Sequence, residues 1–491
     1  MQNATPARRG CRSPPKRPAS VVEMRGRRLG AIVLLFALGL LAIAALRDFA
    51  RLGDALPWKQ LYDFADFYCA GFALDRGSDP YRYEPLHRCE HRFNSSEAYR
   101  RDPGRAVPAP LPPYDFPPFM LAARLDFAAA RTIDAIAILA AVVGAIAGLS
   151  LLEIPLDLAA LALALPAGYL LLAAGQVVPF ALLAIVFCGV ALVRRRDGAA
   201  GVLAALTLLE PHLGVPVCAA VLAWVPRARW TIVATGIALA AVAAATAGPA
   251  VVAEYIARVL PAQAAAETGY VYQYGLTYLL HALGAPPHAA LIAGDLSYAA
   301  MLVLGVWLAR RVETALGRRE LLAYLPAAFG VVGGPYVHMV DLAVAIPAAL
   351  VLATQSHGRA RILAAVALVL LSVPWIDVWI TKKLLLATLF VVAAMLLRLR
   401  VGTAVAGTTF AAVAIALYLL ELRPPPPFAL APTPLLAPGD LVQRAWSAEV
   451  AALGQPDPLW LVVKLPTWLG LGGVVAAAFA VLRPRREQVP P

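Results

Sequence analysis

Charged residues are scarce in this sequence. They make up 15% of the 491 residues, whereas soluble globular proteins carry about 25%. The deficit is uneven, because apolar runs long enough to cross a bilayer alternate with short polar links. This pattern excludes an ordinary soluble domain and is typical of a polytopic membrane protein. A spanning helix satisfies its own backbone hydrogen bonds, so each run predicts a helix.

Acidic side chains are fewer than basic ones. The sequence has 30 Asp and Glu against 42 Lys and Arg, which gives a net charge of +12. The basic residues stand in short clusters at the ends of apolar runs, where they set membrane topology. The excess therefore does not indicate a nucleic-acid partner. Residues 1–28 hold eight basic side chains and one acidic one, which predicts a disordered cytoplasmic leader.

The first apolar run covers residues 29–46. It fits a retained first membrane helix, or a signal peptide, since Ala42-Ile43-Ala44 resembles a cleavage site. The many later runs favour the retained helix. The Ala-, Arg- and Pro-rich composition is typical of a GC-rich bacterium, so we predict a multi-pass protein of the bacterial plasma (inner) membrane with a cytoplasmic N terminus.

Cysteine is also rare, with five in the chain. Cys69 and Cys89 share one polar loop. If that loop is extracytoplasmic, a disulfide between them and two free thiols are both compatible with the sequence.

The basic clusters predict an all-α bundle of about 9 to 12 membrane segments. Its predicted parts are a leader 1–28, a transmembrane domain 29–422 with a long first extracytoplasmic loop 47–118, a Pro-rich extracytoplasmic loop 423–457, and a last helix with a cytoplasmic tail 458–491. Unbroken helices are expected at about 131–152, 156–173, 177–193, 230–250, 288–309, 361–378, 384–397, 402–420 and 459–482, with residues 251–287 as an outer loop.

Two further apolar segments are interrupted by polar residues. Residues 198–225 and 320–356 each have arginines at both ends and polar side chains near the centre. Irregular backbone and ionisable groups at membrane depth are costly, and are tolerated where they line a cavity buried in protein. The pattern predicts two broken helices whose central polar residues face one cavity that opens on the outer face: Glu210, His212, His338 and Asp341.

Three classes of function fit a cavity of this kind to different degrees. A secondary transporter would use Glu210, His338 and Asp341 as an ion relay. A membrane scaffold would not need buried ionisable groups. A membrane transferase would need an outer-loop carboxylate as base, donors for a lipid phosphate and grooves for lipid tails. The first loop, rich in Asp and Tyr, favours the transferase.

Four stretches then resemble one family, in that family's order and over about residues 60–350. They are "DFADFYCAGFALDRGSDPY" (Asp63–Tyr81), "YDFPPFMLAA" (Tyr114–Ala123), the Gly-Gln-Val helix with its basic turn and broken helix (Ala173–His212), and "GPYVHMVDLAVAIPAAL" (Gly334–Leu350). Together they resemble glycosyltransferase family 87, a branch of the GT-C membrane transferases that includes polyprenol-phosphate-mannose-dependent mannosyltransferases.

The resemblance implies a GT-C-type helix bundle and an inverting hexosyltransferase. Such an enzyme moves a sugar, with mannose expected, from a polyprenyl-phosphate donor to a hydroxyl of a lipid- or glycan-linked acceptor, without a metal or cofactor. Asp63 aligns with the family's first-loop acid and is the expected general base. Asp66, one helical turn on, is the alternative. Either carboxylate could instead cap a short interfacial helix.

Other side chains are expected to contact substrate. His338 would donate to the donor phosphate or to a sugar hydroxyl, or be a satisfied buried histidine, and Asp341 would orient it. Glu210 stands where the family has lysine before proline, and it pairs with His212 in one interpretation. The full set of predicted substrate-binding residues is His338, Arg82, Gln176, Tyr68, Glu210, His212 and Asp341.

Overall fold

The computed structural model describes residues 57–94, 104–424 and 458–483. The predicted leader, the first apolar run 29–46 and most of the Pro-rich loop 423–457 lie outside the described residues.

Within the described ranges the chain forms helices and no strand. We number the principal helices α1 to α16 and give shorter ones by their residues. The principal helices are α1 Phe64–Asp75, α2 Tyr83–Phe93, α3 Phe127–Ser150, α4 Leu156–Ala174, α5 Val178–Val193, α6 Asp197–Leu206, α7 Pro211–Trp224, α8 Arg229–Ala247, α9 Pro287–Leu316, α10 Leu321–Gly333, α11 Ile346–Gln355, α12 Gly358–Leu371, α13 Trp375–Thr381, α14 Leu385–Leu399, α15 Thr403–Glu421 and α16 Pro458–Leu482.

Seven helical segments of the described chain are long and apolar enough to cross a membrane. Large apolar side chains on their outward faces are exposed, such as Ile136 at 63%, Ile237 at 65% and Val303 at 67%. Exposed apolar surface on this scale needs a cover, and lipid supplies one. The all-α prediction is confirmed, and the helices fit a polytopic membrane protein. α10 lies at the centre of the bundle, with nearly every residue buried.

Both broken segments have the predicted break. After α6, a short 3₁₀ turn leads to Glu210, whose backbone is extended (φ −121°, ψ 91°), and Pro211 then begins α7. Proline is favoured at this first helical position because its missing N–H would have no partner there. In the second segment α10 ends at Gly333, and a loop leads to a 3₁₀ turn over Asp341–Ala345 before α11.

The secondary structure differs from the expectation in two segments. The expected outer loop 251–287 contains short helices, Pro249–Glu254, Leu260–Ala266 and Leu276–Ala282. The expected single helix 361–378 is divided into α12 and α13 at Pro374, since proline has no backbone N–H to continue the helix.

The predicted first loop 47–118 is also largely helical where it is described. We call residues 57–94 and 104–122 the first-loop layer. It contains α1, α2 and the helix Phe116–Ala122. A disulfide joins Cys69 of α1 to Cys89 of α2. Disulfides persist in oxidising compartments, which favours the predicted extracytoplasmic position of this layer.

The first-loop layer is fixed directly onto the end of α4. The backbone N–H of Tyr62 donates to Ala173 O over 3.1 Å, and that of Asp63 donates to Ala174 O over 2.9 Å. Gly175 then turns the chain with a positive φ of 73°, where a Cβ would also stand 3.2 Å from Leu61. Glycine tolerates this conformation without strain. These contacts bring Asp63 to the start of the next helix.

Candidate active site

A cavity of about 520 Å³ lies where the first-loop layer meets the helix ends. This volume falls in the range of about 300–1,000 Å³ that is typical of small-molecule sites. Its wall combines carboxylates, histidines and aromatic rings with a few apolar side chains. The polar and aromatic lining residues are Tyr62, Asp63, Asp66, Arg105, Gln176, Glu210, His212, Tyr255, Gln263, Tyr270, Tyr272, Tyr336, His338, Asp341, Asp377 and Thr381.

Asp63 lies on this wall at the N-cap position of α1. Its side chain does not accept the capping hydrogen bond that this position usually provides. It accepts a hydrogen bond from the Nε2 of Gln176 instead. The carboxylate is therefore held by an amide from the loop after α4, and the two predicted site residues form one unit.

Asp66 lies one turn further along α1 and lines the same cavity, with 9% of its surface exposed. Tyr68, two residues later, projects elsewhere. Its ring packs between Phe93 and Phe127, and its hydroxyl donates to Leu125 O over 3.1 Å. The structure places Tyr68 in the aromatic core of the first-loop layer, outside the cavity lining.

The first broken segment contributes Glu210 and His212. The Nδ1 of His212 lies 3.7 Å from Glu210 Oε2, and its Nε2 lies 3.2 Å from Asp341 Oδ2. All three side chains are largely buried. The expected neighbour Glu210 is present, but the closer carboxylate belongs to Asp341 of the other broken segment. The two segments thus meet at His212.

The second broken segment positions His338 through two carboxylates. Its backbone N–H donates to Asp341 Oδ2 over 2.8 Å, so Asp341 orients the backbone rather than the ring. The ring Nε2 lies 2.7 Å from Oε2 of Glu267, a buried residue of the segment predicted as a loop. The ring nitrogen that is left for the cavity is Nδ1.

Glu267 is itself held by Gln273. The Gln273 side chain donates to Glu267 Oε2 through its Nε2 and accepts from the backbone N–H of Val337 over 2.6 Å. Gln273 and His338 also form an isolated antiparallel bridge. One glutamine therefore fixes both the partner of His338 and the backbone that carries His338.

Lys464 supports this arrangement from α16. The side chain is fully buried, its Nζ donates to Gln273 O over 2.5 Å, and it lies 3.1 Å from the centroid of the Tyr278 ring. A lysine in an apolar membrane segment is a sign of function, and Lys464 is the charged residue within the predicted span 459–482. This signal was available in the sequence, whereas nothing local distinguished Glu267.

Arg82, a predicted phosphate ligand, lies outside the cavity lining. Its side chain forms ion pairs with Asp79 at 3.0 Å and with Glu254 at 3.1 Å. It thereby joins the first-loop layer to the short helix Pro249–Glu254. Arg105 lines the cavity instead, from an extended stretch of the same layer.

The lining is acidic. It contains five carboxylates but one arginine and two histidines. The carboxylates are Asp63, Asp66, Glu210, Asp341 and Asp377, and the basic residues are Arg105, His212 and His338. Asp115, which is buried outside the cavity lining, is affected by this charge. Burial first, and then the nearby Glu210 charge, raise the pKa of Asp115 well above its ordinary value. Among the described residues, no group of three or more His, Cys, Asp or Glu side chains is arranged to hold a metal ion.

No family model, no curated protein and no solved structure matches this chain. The chemistry of the cavity therefore follows from its own side chains. Carboxylates accept protons and hydroxyl hydrogen bonds. The Arg105 guanidinium, and His338 Nδ1 in the imidazolium form, can donate to an anion, and five tyrosine rings offer flat faces to a ligand.

Proposed function

We propose that the protein is an integral-membrane glycosyltransferase. It moves a sugar, with mannose as the first candidate, from a polyprenyl-phosphate donor to a hydroxyl of a lipid- or glycan-linked acceptor, with inversion. One observation supports this proposal above the others. Asp63, whose carboxylate is held by the Gln176 amide, and His338, whose ring is held by the Glu267 carboxylate, line the same cavity, and the charge of Asp63 acts on His338.

An inverting transfer needs a base and a stabilised leaving group in one step. The acceptor oxygen forms a bond to the anomeric carbon while the bond from that carbon to the phosphate oxygen breaks. Asp63 takes the acceptor proton. The hydrogen bond from Gln176 orients this carboxylate on the cavity wall.

The leaving phosphate needs hydrogen-bond donors. In the imidazolium form His338 offers its Nδ1–H, because Glu267 occupies its Nε2. Arg105 is a second cationic group on the lining. Glu210 would repel a phosphate, but His212 stands beside it at 3.7 Å and separates it from Asp341. The donor phosphate is therefore proposed to lie at His338 rather than at Glu210.

The direct test is transfer of radiolabelled mannose from polyprenyl-phosphate-mannose by membranes that contain the protein. Asp63→Asn should abolish transfer at unchanged expression, and Asp66→Asn should retain it in part. Full activity of Asp63→Asn together with loss in Asp66→Asn would assign the base to Asp66. Absence of transfer from any lipid-linked donor would refute the proposal.

A second candidate is a proton-coupled transporter, and one observation favours it. Carboxylates and histidines are paired at two neighbouring points: His212 lies between Glu210 and Asp341, and the His338 ring contacts Glu267, while Asp341 joins the two pairs through the backbone N–H of His338. Ionisable groups of this kind serve as proton relays in transporters. Solute uptake that depends on a proton gradient, in vesicles without sugar transfer, would select this candidate.

A further inference from the structure

We propose that Asp377 forms a separate subsite that binds the acceptor through one of its hydroxyl groups. This inference rests on the proposed transferase function and names the chemical class of the acceptor group at the site. It concerns a residue that the mechanism above does not use.

Asp377 reaches the cavity because the helix before it is interrupted. α12 ends at Leu371, before Pro374, and α13 then starts at Trp375, with Asp377 in its first turn. Asp377, Ile380 and Thr381 form one part of the cavity wall. The Thr381 hydroxyl donates to the Asp377 backbone O over 2.9 Å, so it is engaged within α13 and does not satisfy the carboxylate.

The Asp377 carboxylate has a buried oxygen, Oδ2, that has no hydrogen-bond partner among the described residues. Buried polar atoms are nearly always paired, and an unpaired one carries a desolvation cost. Asp63 and Asp341, on the same wall, each accept a hydrogen bond from the protein. A donor supplied by a ligand would remove the cost at Asp377, which makes this carboxylate a binding group.

The location of Asp377 suits the acceptor. Its charge acts on the hydroxyls of Tyr62 and Tyr169, and Tyr62 directly precedes Asp63. The charge of Asp63 in turn acts on His338. Asp63, the proposed base, therefore lies in the same region of the cavity as Asp377 and His338. An in-line displacement places the acceptor opposite the leaving phosphate, so a phosphate at His338 leaves the Asp377 region for the acceptor.

The charges define the class of group that binds there. A carboxylate accepts hydrogen bonds from hydroxyls, and the acidic lining disfavours a second anion. The acceptor group at Asp377 is accordingly a neutral polyhydroxy ring, such as a terminal sugar, and not a phosphorylated or carboxylated one.

The test uses the full-length protein in nanodiscs free of sugar-based detergent, with polyprenyl-phosphate-[¹⁴C]mannose as donor and octyl α-mannoside as acceptor probe. Asp377→Asn should raise the KM for octyl mannoside about 10-fold or more, as expected for loss of a hydrogen bond to a charged group, while the donor KM stays within about twofold. Asp134→Asn is the matched control, since Asp134 of α3 also has a buried unpartnered oxygen but lies outside the cavity lining.

A second measurement is independent of turnover. Calorimetric titration with octyl mannoside should show binding to the wild type and to Asp134→Asn, and binding weakened about 10-fold or more in Asp377→Asn. If transfer occurs and the acceptor KM is unchanged in Asp377→Asn, or the donor KM rises equally, the subsite is refuted and the transferase stands. If binding depends on Asp377 but no donor supports transfer, the transferase is refuted and the subsite stands. If neither transfer nor binding is detected, both proposals are refuted.

Discussion

Glu267 and His338 are 71 residues apart in the chain, yet Glu267 Oε2 lies 2.7 Å from Nε2 of His338. The contact assigns the two ring nitrogens different tasks, because Nε2 is held by the protein and Nδ1 is left for the cavity. The contact also joins the broken segment between α10 and α11 to the segment between α8 and α9. A histidine held in this way is presented to a ligand in one orientation.

The first prediction concerns this pair. Glu267→Gln keeps a hydrogen-bonding group at Nε2 but removes the charge, so we expect a donor KM raised about 10-fold at a nearly unchanged acceptor KM. Glu267→Ala should lose more, because the ring is then released. The measurement is the steady-state kinetics of mannose transfer. Equal changes of both KM values would indicate general disruption and contradict a positioning role.

The second prediction concerns Lys464. Lys464→Met retains the length of the side chain but leaves Gln273 O without its donor and removes the contact of Nζ with the Tyr278 ring. We expect the protein to lose about 1–3 kcal/mol of stability, seen as a lower thermal midpoint in detergent, together with reduced transfer. Lys382→Met is a suitable control, since Lys382 donates to Glu421 O over 2.8 Å but is partly exposed. A midpoint unchanged in Lys464→Met would show that the buried amino group is not needed for stability.

The third prediction concerns the bridge between Cys69 and Cys89. It closes a loop with a sequence separation of 20, and bridges of this kind contribute about 2–4 kcal/mol. The double variant Cys69→Ala/Cys89→Ala should therefore unfold at lower temperature. In intact cells, a membrane-impermeant thiol reagent should label the two positions only after treatment with a reductant that also does not cross the membrane. Labelling without reduction would contradict the bridge.

The fourth prediction is a pH dependence at Asp115, which lies outside the membrane-spanning helices. Burial and the neighbouring Glu210 raise the pKa of Asp115 well above 3.8, its ordinary value. A raised pKa in the folded state means that the neutral carboxyl stabilises the fold fully below 3.8, and that this contribution declines as the pH rises toward the folded-state pKa.

Asp115→Asn carries no such titration and is close in shape to the neutral acid. The thermal midpoint of the variant relative to that of the wild type should therefore increase as the pH rises above 3.8 toward the folded-state pKa of Asp115. Thermal-shift measurements across this range provide the check. A difference that is constant with pH would show that Asp115 does not titrate differently in the folded and unfolded protein.

Much of the helix pattern could be predicted from the sequence, because apolar run length and basic flanks act locally. The breaks at Glu210-Pro211 and at Gly333–Asp341 were predicted for the same reason, since proline, glycine and charged residues interrupt an apolar run visibly. A short helix within the first loop was also predicted, but α2 and the helices of residues 251–287 were not. The packing of these segments was not predicted either, since Tyr81, for example, is fully buried and bonded through its hydroxyl to Leu111 O, a tertiary contact with no local signature.

The candidate site was likewise predicted only in part. Asp63, Gln176, His212 and His338 were selected from the sequence, and they do line one cavity. Their chemical roles remain predictions. Arg82 and Tyr68 stand in motifs of the same kind, yet their side chains contact Glu254 and Leu125 instead. Side-chain direction depends on packing around each position, which a motif does not describe.

The sequence by itself determined the all-helical character, the apolar spans and the interrupted segments, since each depends on which residues are neighbours along the chain. Only the tertiary structure decided which groups share a wall of the cavity. Contacts between distant segments place Glu267 beside His338 and Lys464 beside Gln273, and they place Asp377 near Tyr62. The reason is physical: a buried charge must be paired or face a cavity, and the partner that satisfies it is chosen by the packing of helices and not by sequence distance.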